Sequence, residues 1–162
     1  MSLLVRGGSI VTPVGRSARR AEELAALQIR ERDVIRCSDD GRIEFIGPPD
    51  EHDRRFQPAD EELDTAGGCI LPGFVDPHTH PVSAGSREGE FDRRLRGESY
   101  MEIARSGGGI TATVRATRAA TADELVAATE GRLDRFLLHG TTTIEAKSGY
   151  GLDLDTEVRM LE

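Results

Sequence analysis

A strand, a helix and a second strand follow one another in the second half of the chain, and this order most limits the folds open to it. An apolar run at residues 69–75 predicts a buried strand, a helix with a capping box starts after Thr121, and β-branched residues at 141–147 predict another strand. Strands that alternate with helices are typical of βα units with a parallel sheet. Two parallel strands cannot close a barrel or bury both faces of a sheet. The sequence therefore predicts either a minimal α/β domain completed by another chain or the front of a longer protein.

Residues 153–162 predict the opening of a helix. Asp153 is a suitable N-cap residue. Three apolar residues follow it at helical spacing: Leu154, Val158 and Leu161. A helix of about two turns has little stability of its own, so we expect the chain to end inside a structural element.

The first part of the chain predicts a small antiparallel β unit with one face in solvent. An Asp-Asp-Gly turn at residues 39–41 favours a hairpin. Residues 50–64 are charged and without periodicity, which predicts irregular structure, and residues 18–26 predict a loop or a short helix. Strands are expected over residues 3–11, 27–36 and 42–46.

The sequence pattern changes at Gly67-Gly68, where charged segments give way to the apolar run. We place a domain boundary there, with residues 1–66 in one domain and residues 67–162 in the other. A polar loop is expected after the first strand of the second domain. A short helix with a capping box is expected to begin after Ser99.

Charge and composition exclude several classes of function. The chain holds 21 Lys and Arg against 29 Asp and Glu, a net charge of −8. A nucleic-acid binder needs a basic face to neutralise phosphates, and an anionic membrane surface attracts basic segments, so we expect neither partner. The sequence contains no apolar run long enough for a transmembrane helix, and its N-terminus does not resemble a secretory signal. Cys37 and Cys69 are too few and too widely spaced for a disulfide framework, so we expect a cytoplasmic protein.

The segment His78-Thr79-His80 is the strongest sign of chemistry in the sequence. Alternate residues of a strand point to the same side, so two imidazoles at this spacing can ligate one metal ion. Neutral imidazole nitrogen suits Zn, Fe, Ni or Cu. The carboxyl ends of parallel strands are also where α/β folds place active sites. The alternative, two histidines exposed in a loop, is disfavoured by the apolar strand that precedes the pair.

Several segments taken together resemble one family. The segment Leu71–His80 is similar to the metal-binding strand of the amidohydrolase superfamily. Residues 1–68 match that superfamily more loosely, and the family's enzymes are much longer than this chain. Four further blocks, in order, resemble the imidazolonepropionases of the superfamily: residues 91–97, 106–110, 113–118 and 145–152.

The resemblance implies an α/β fold in two parts and a reaction. Residues 1–66 would belong to a small β-sandwich, and residues 67–162 would form the first two βα units of a distorted (β/α)8 barrel that is incomplete in this chain. The family hydrolyses the cyclic amide of 4-imidazolone-5-propanoate to N-formimidoyl-L-glutamate, in histidine degradation. It uses one Zn or Fe ion.

The resemblance also implies roles for four residues. His78 and His80 match the first two metal ligands of the family, whose remaining ligands, a histidine and an aspartate, lie on later strands without a counterpart here. Arg87 matches the arginine that binds the substrate carboxylate, for which a guanidinium fork is well suited. Tyr150 matches a substrate-contacting tyrosine with a hydroxyl free to hydrogen-bond the substrate. The family's acid–base groups also lie on later strands, so no catalytic residue is assigned in this chain.

Other polar residues are expected to have structural roles. Lys147 is interpreted as structural or as a support for the site, because this family binds one metal ion. Arg115 and Arg118 are expected to pair with acidic residues. His139 falls in the last turn of a predicted helix, and His52 is expected in an exposed loop.

Two alternatives to a working imidazolonepropionase remain open from the sequence. The first is a catalytically incomplete fragment or a subunit that binds a partner, since half of the metal ligands are absent. Apolar surface left uncovered by the missing barrel would then favour association, so we expect a homo-oligomer or a missing C-terminal part. The second is another amidohydrolase, such as a deaminase or a different cyclic amidase. The choice between Zn and Fe, the oligomeric state and the source of the missing ligands also stay open.

Overall fold

The chain folds as two units in the computed structural model, which describes residues 1–15 and 17–162. The first unit is Met1–Pro72 and the second is Gly73–Glu162. Each is a mixture of strands and helices, so the α/β class predicted from the sequence is observed. No helix among the described residues is long and apolar enough to cross a membrane.

The described part of the first unit contains two sheets, a short 3-10 helix at Ala21–Ala25 and one α-helix, α1 (Pro49–Arg55). The strands in chain order are β1 (Leu3–Arg6), β2 (Ser9–Pro13), β3 (Leu27–Glu31), β4 (Val34–Cys37), β5 (Ile43–Gly47), β6 (Glu61–Asp64) and β7 (Cys69–Ile70). One sheet has the order β5-β4-β1-β6 and the other has the order β3-β2-β7. The predicted hairpin is confirmed, because β4 and β5 pair antiparallel around the turn.

The prediction of a purely antiparallel first unit is wrong. β1 pairs antiparallel with β4 but parallel with β6, and β2 pairs antiparallel with β3 but parallel with β7. Parallel neighbours need a long connection between the paired strands, and the intervening hairpin and helix provide it. The pairing of β7 with β2 also keeps residues 67–72 in the first unit.

The predicted irregular structure over residues 50–64 is also wrong, because the segment contains most of α1 and all of β6. Pro49 occupies the first turn of α1, where its fixed φ suits a helix and its missing N–H costs nothing. Arg54 pairs with Asp50 at 2.9 Å and Arg55 pairs with Glu51 at 3.0 Å, each at the i,i+4 spacing of a helix. The acidic residues precede the basic ones, as the helix dipole favours.

His52 lies in the interior of the first unit, not in the exposed loop expected from the sequence. Its side chain stacks on Phe56 with ring centroids 5.4 Å apart and lies 6.0 Å from the Phe45 ring. It is only 3% exposed. The buried cluster beside it is formed by Leu4, Val34 and Phe45. Residues from distant parts of the sequence therefore bury a residue that its charged neighbours suggested was exposed.

The second unit contains two parallel strands and several helices. Its elements are β8 (Phe74–Thr79), α2 (Glu88–Leu95), α3 (Tyr100–Arg105), α4 (Ile110–Ala119), α5 (Ala122–Leu138), β9 (Thr141–Ala146) and α6 (Leu154–Arg159). The predicted parallel pairing of β8 with β9 is confirmed. Both predicted capping boxes are present, at Ser99 with Glu102 and at Thr121 with Glu124. Helices α2 and α4 were not predicted.

The predicted buried strand at 69–75 is wrong in two respects. The run is divided between β7 and β8, and the first residues of β8 are exposed, with Phe74 at 52% and Val75 at 65%. Within the described residues the only strand that pairs with β8 is β9, so the other edge of β8 is open. The buried residues of this unit lie instead among its helices: Ile103, Val114, Thr117, Leu125 and Met160.

Candidate functional site

The histidine pair lies at the carboxyl end of β8. His78 is within the strand, and His80 follows its last residue, Thr79, so the two side chains share one side as the strand alternation predicts. Their ring centroids are 5.3 Å apart and their planes meet at 60°. The His78 backbone N–H donates to Asp76 Oδ1 at 3.0 Å, which ties a carboxylate to this end of the strand.

The chemistry of the pair fits part of a metal site. The Nδ1 atom of His80 is buried and has no hydrogen-bond partner within the part of the chain that the structure describes. A buried polar atom of this kind is a natural place for a water or an ion, and imidazole nitrogen is a ligand for transition metals. Among residues 1–15 and 17–162, no group of three His, Cys, Asp or Glu side chains is arranged to hold a metal ion.

Tyr150 lies against His80. Their ring centroids are 5.5 Å apart with an interplanar angle of 59°. Tyr150 belongs to the loop after β9, and β9 runs parallel to β8, so the ends of both strands meet at one edge. The Lys147 backbone N–H donates to the Thr79 carbonyl at 2.8 Å and continues the strand pairing up to this loop. The parallel register therefore brings Tyr150 to the histidine pair.

Gly149 makes the close approach of the loop to His80 possible. Its φ is +141°, and a Cβ built there would lie 3.0 Å from His80 Cε1 and 3.1 Å from Nδ1. A side chain at this position would therefore crowd the imidazole ring, which would have to shift, and the positive φ would strain it further. In the sequence, the position of Gly149 beside Tyr150 is the only sign that it contributes to the site.

Glu145 and Lys147 form an ion pair at the end of β9. The pKa of the Glu145 carboxyl is below its ordinary value, first because the Lys147 side chain hydrogen-bonds to it and next because of the Lys147 charge. His78 lowers the same pKa to a lesser degree. Lys147 thus pairs with a carboxylate whose pKa His78 also lowers. A supporting role for Lys147 stays a prediction.

Arg87 lies at the start of α2. It is the N-cap residue of α2, and its Nη1 lies 3.9 Å from Glu90 Oε2. Glu90 in turn accepts a hydrogen bond from the Gly109 backbone N–H at 2.8 Å. The Arg87 side chain is 41% exposed and can therefore change partners. The structure brings together His78, His80 and Tyr150, and it links Arg87 through Glu90 to the glycine-rich turn at Gly109.

A cavity of about 350 Å³ opens beside His80. Arg132 Nη1 donates to the Pro81 carbonyl at 2.8 Å across one wall. His139, predicted to lie in a last helical turn, is the C-cap residue of α5. The size is in the range of small-molecule sites. The lining residues are Thr79, His80, Pro81, Arg132, Arg135, Phe136 and His139.

Curated relatives match the chain over nearly all of its length. It is 44% identical to a probable imidazolonepropionase of Danio rerio over 98% of the chain. It is 48% identical to the imidazolonepropionases of Geobacillus kaustophilus, over 97% of the chain, and Myxococcus xanthus, over 99%. The chain spans only 38% of the length of each of these relatives.

A solved structure shows the same kind of fold. Guanine deaminase of E. coli superposes on 88% of this chain and 30% of its own, with a TM-score of 0.52 and 24% sequence identity. At that identity the likeness concerns the fold alone. No family model matches the chain.

Proposed function

Because the chain belongs by sequence to the imidazolonepropionase family, we propose that it carries the first metal ligands and the substrate-binding loops of an enzyme that opens the cyclic amide of 4-imidazolone-5-propanoate. The product is N-formimidoyl-L-glutamate, formed in histidine degradation, and we expect the protein in the cytoplasm. The observation that carries the proposal is the meeting of His78, His80 and Tyr150 where two parallel strands end.

His78 and His80 would hold the metal, with one Zn or Fe ion per site. Their spacing along β8 and the unpaired Nδ1 of His80 support this role. When bound, the ion supplies the Lewis acidity that amide hydrolysis needs at neutral pH. A hydrolytic metal site normally has three protein ligands or more, so further ligands must come from polypeptide beyond these residues, in the same chain or in a second copy.

Arg87 and Tyr150 would bind the substrate. A propanoate carboxylate matches the two parallel N–H donors of a guanidinium group, and Arg87 would exchange Glu90 for it. The Tyr150 hydroxyl can donate to or accept from the imidazolone ring, and its position beside His80 puts it near the scissile amide. No general acid or base is proposed among the present residues.

The same proposal covers the fold that surrounds the site. β8 and β9 would be the first two strands of a distorted (β/α)8 barrel, and its first βα units would lie within the second unit, Gly73–Glu162. Residues 1–66 would form part of a small β-sandwich. The open edge of β8 and its exposed Phe74 and Val75 support a further strand at that edge.

The four histidines of the chain allow a direct test of the metal role. We would add Zn²⁺ to the 162-residue protein and follow the ring signals of all four histidines by NMR. We expect His78 and His80 to shift, while His52 and His139 serve as internal controls. His78→Ala should weaken Zn²⁺ binding at least about tenfold, or about 1.4 kcal/mol.

The matched control for that variant is His139→Ala, which removes an imidazole from the wall of the neighbouring cavity. It should leave the Zn²⁺ affinity unchanged. If Zn²⁺ shifts all four histidines alike, or shifts none of them, the proposed metal role of the pair is contradicted.

A further inference from the structure

One carboxylate anchors the loop that carries Tyr150. Oε1 of Glu157, on α6, accepts hydrogen bonds from the backbone N–H groups of Gly151 at 2.8 Å and Leu152 at 2.7 Å. Leu152 has a φ of +55°, in the left-handed region that a leucine rarely adopts. The carboxylate thus stabilises a turn that the backbone alone disfavours, and it does so immediately after Tyr150.

The electrostatics of Glu157 agree with this anchoring. The pKa of its carboxyl is below the ordinary value, and the nearby Ser148 side chain is the first cause. Backbone N–H groups lower the pKa further, in the order Leu152, Gly151 and Gly149. The two hydrogen bonds that the carboxylate accepts come from Gly151 and Leu152, which both follow Tyr150. Charged acceptors make stronger hydrogen bonds than neutral ones, so the loop is held in one conformation.

The helix that carries Glu157 is itself well fixed. Asp153 caps α6 by accepting from the Thr156 backbone N–H at 2.8 Å. Arg118, on α4, pairs with Asp153 at 2.8 Å and donates to the Gly151 carbonyl at 2.6 Å. The predicted acidic partner of Arg118 is therefore Asp153. Helix α4 and the cap of α6 hold the same loop from the carbonyl side while Glu157 holds it from the N–H side.

The loop is closely packed where it meets His80. A side chain at Gly149 would crowd the imidazole of His80, and the centroid of the Tyr150 ring lies 5.5 Å from that of the imidazole. A small change in the backbone of residues 149–152 would therefore move Tyr150 away from His80 or push the loop into the ring. The position of the tyrosine depends on groups that do not touch it.

We propose that Glu157 is the positioning residue for Tyr150. By binding the backbone N–H groups of Gly151 and Leu152, it holds the tyrosine ring against His80, where it meets the substrate. That Tyr150 meets the substrate at this position rests on the proposed function. The placement itself is a property of the present chain and can be measured without a metal or a substrate.

The test is the nuclear Overhauser effect between the rings of Tyr150 and His80 in the 162-residue protein. The chain has two tyrosines and no tryptophan, so Tyr100 provides an internal reference. Glu157→Leu should abolish the Tyr150–His80 effect and move the Gly151 and Leu152 amide protons upfield, since both lose a charged acceptor. The matched control is Asp155→Asn, which removes an exposed negative charge from the same helix and should change neither signal.

If Glu157→Leu fails to fold, Glu157→Asp tests the same proposal, because the shorter aspartate side chain cannot reach the N–H groups of both Gly151 and Leu152. It should weaken the Tyr150–His80 effect while the amide signals of α5 stay in place. An undiminished effect in whichever of these variants folds would overturn the proposal. An equal loss of the Tyr150–His80 effect in Asp155→Asn would also overturn the proposal.

Adding N-formimidoyl-L-glutamate separates this proposal from the proposed function. In the wild type and in Asp155→Asn the Tyr150 ring signals should shift, and in Glu157→Leu that shift should be lost. A wild type that does not respond counts against the proposed function only, because the Tyr150–His80 effect still decides the role of Glu157. A full response in Glu157→Leu would overturn the positioning role.

Discussion

The two units of the chain are stabilised in different ways. In the first unit one sheet supplies the buried apolar cluster, which is formed by Leu4, Val34 and Phe45. In the second unit the two-stranded sheet exposes Phe74 and Val75, and its helices and loops depend on caps, ion pairs and hydrogen bonds to backbone. The candidate site lies in the second unit.

This difference shows which kind of region can hold a metal or substrate site. A sheet with apolar side chains on its inner face is rigid, but its interior has little room for a ligand. A strand end with unpaired polar groups can bind a metal or a substrate. Neighbouring groups must hold that strand end in position and still leave the binding space empty. Glu157, Arg118 and Glu90 provide such a scaffold through directed bonds to loop backbone.

The largest effect should come from a pair of phenylalanines, one in each unit. Phe45→Ala removes a ring that is 7% exposed and should cost the first unit about 3–5 kcal/mol. Phe74→Ala removes a ring that is 52% exposed and should cost the second unit no more than about 1 kcal/mol. Urea unfolding followed by amide signals of each unit checks both values. An equal cost at Phe74 would mean that a partner covers β8 in solution.

Arg87→Met should have the next largest effect, on ligand binding in the second unit. A carboxylate deprived of its guanidinium loses about 1.5–3 kcal/mol, so the Kd for N-formimidoyl-L-glutamate should rise roughly tenfold or more. An NMR titration measures this Kd. Arg96→Met is the control, because Arg96 ends the same helix and pairs with Asp92 in solvent at 2.8 Å. If both variants weaken binding alike, Arg87 does not bind the substrate carboxylate.

A smaller effect is expected from Thr121→Ala, which removes the cap of α5. Thr121 accepts from the Glu124 backbone N–H, and Glu124 accepts from Thr121 in return. Loss of the hydroxyl should cost about 1 kcal/mol in the second unit. Thr121→Ser keeps the hydroxyl and should retain most of the stability. Unfolding curves that do not distinguish the two variants would show that the cap contributes little.

The smallest expected effect is a loss of folding stability at low pH. Backbone hydrogen bonds at helix starts are the first cause of the lowered pKa of Glu102, Glu124 and Asp153 in the second unit. A lowered folded-state pKa adds stability above the unfolded pKa, and that stability is lost as the pH falls through the folded value. We therefore expect the second unit to lose stability below about pH 4, and Glu124→Gln to flatten the decline.

Hydrogen exchange of the amides in each unit measures this acid effect. The first unit has lowered pKa values at Asp40 and Asp60 among the described residues, so its decline should be shallower. A decline in the first unit as steep as that in the second would contradict this expectation.

Local patterns were predicted well, whereas among the parallel strand pairings only that of β8 with β9 was predicted. The capping boxes at Ser99 and Thr121 require only residues within one turn, and both form. The parallel partners of β1 and β2 come from segments far along the chain, so nothing in the local pattern of β6 indicated its pairing. His52 was misplaced for the same reason, because Phe45 and the buried cluster that it packs beside come from other segments of the chain.

The candidate site likewise contains some residues that the sequence predicted and others that it did not. His78 and His80 were found from strand alternation, and Arg87 and Tyr150 from the resemblance to a family. The contact between Tyr150 and His80 follows from the parallel register of β8 and β9, which the order of strand and helix predicted. Glu157 and Gly149 were missed, because a carboxylate that binds loop N–H groups looks in the sequence like any exposed helix charge.

The sequence by itself determined the α/β class, the helix starts, the family and the residue types available for chemistry, because these depend on spacing within a few residues. Only the tertiary structure decided that β6 and β7 pair in parallel with β1 and β2, that His52 is buried, and that Glu157 bonds to the loop that carries Tyr150. Contacts between distant segments are set by packing and by the satisfaction of backbone polar groups, and neither is visible in a local pattern.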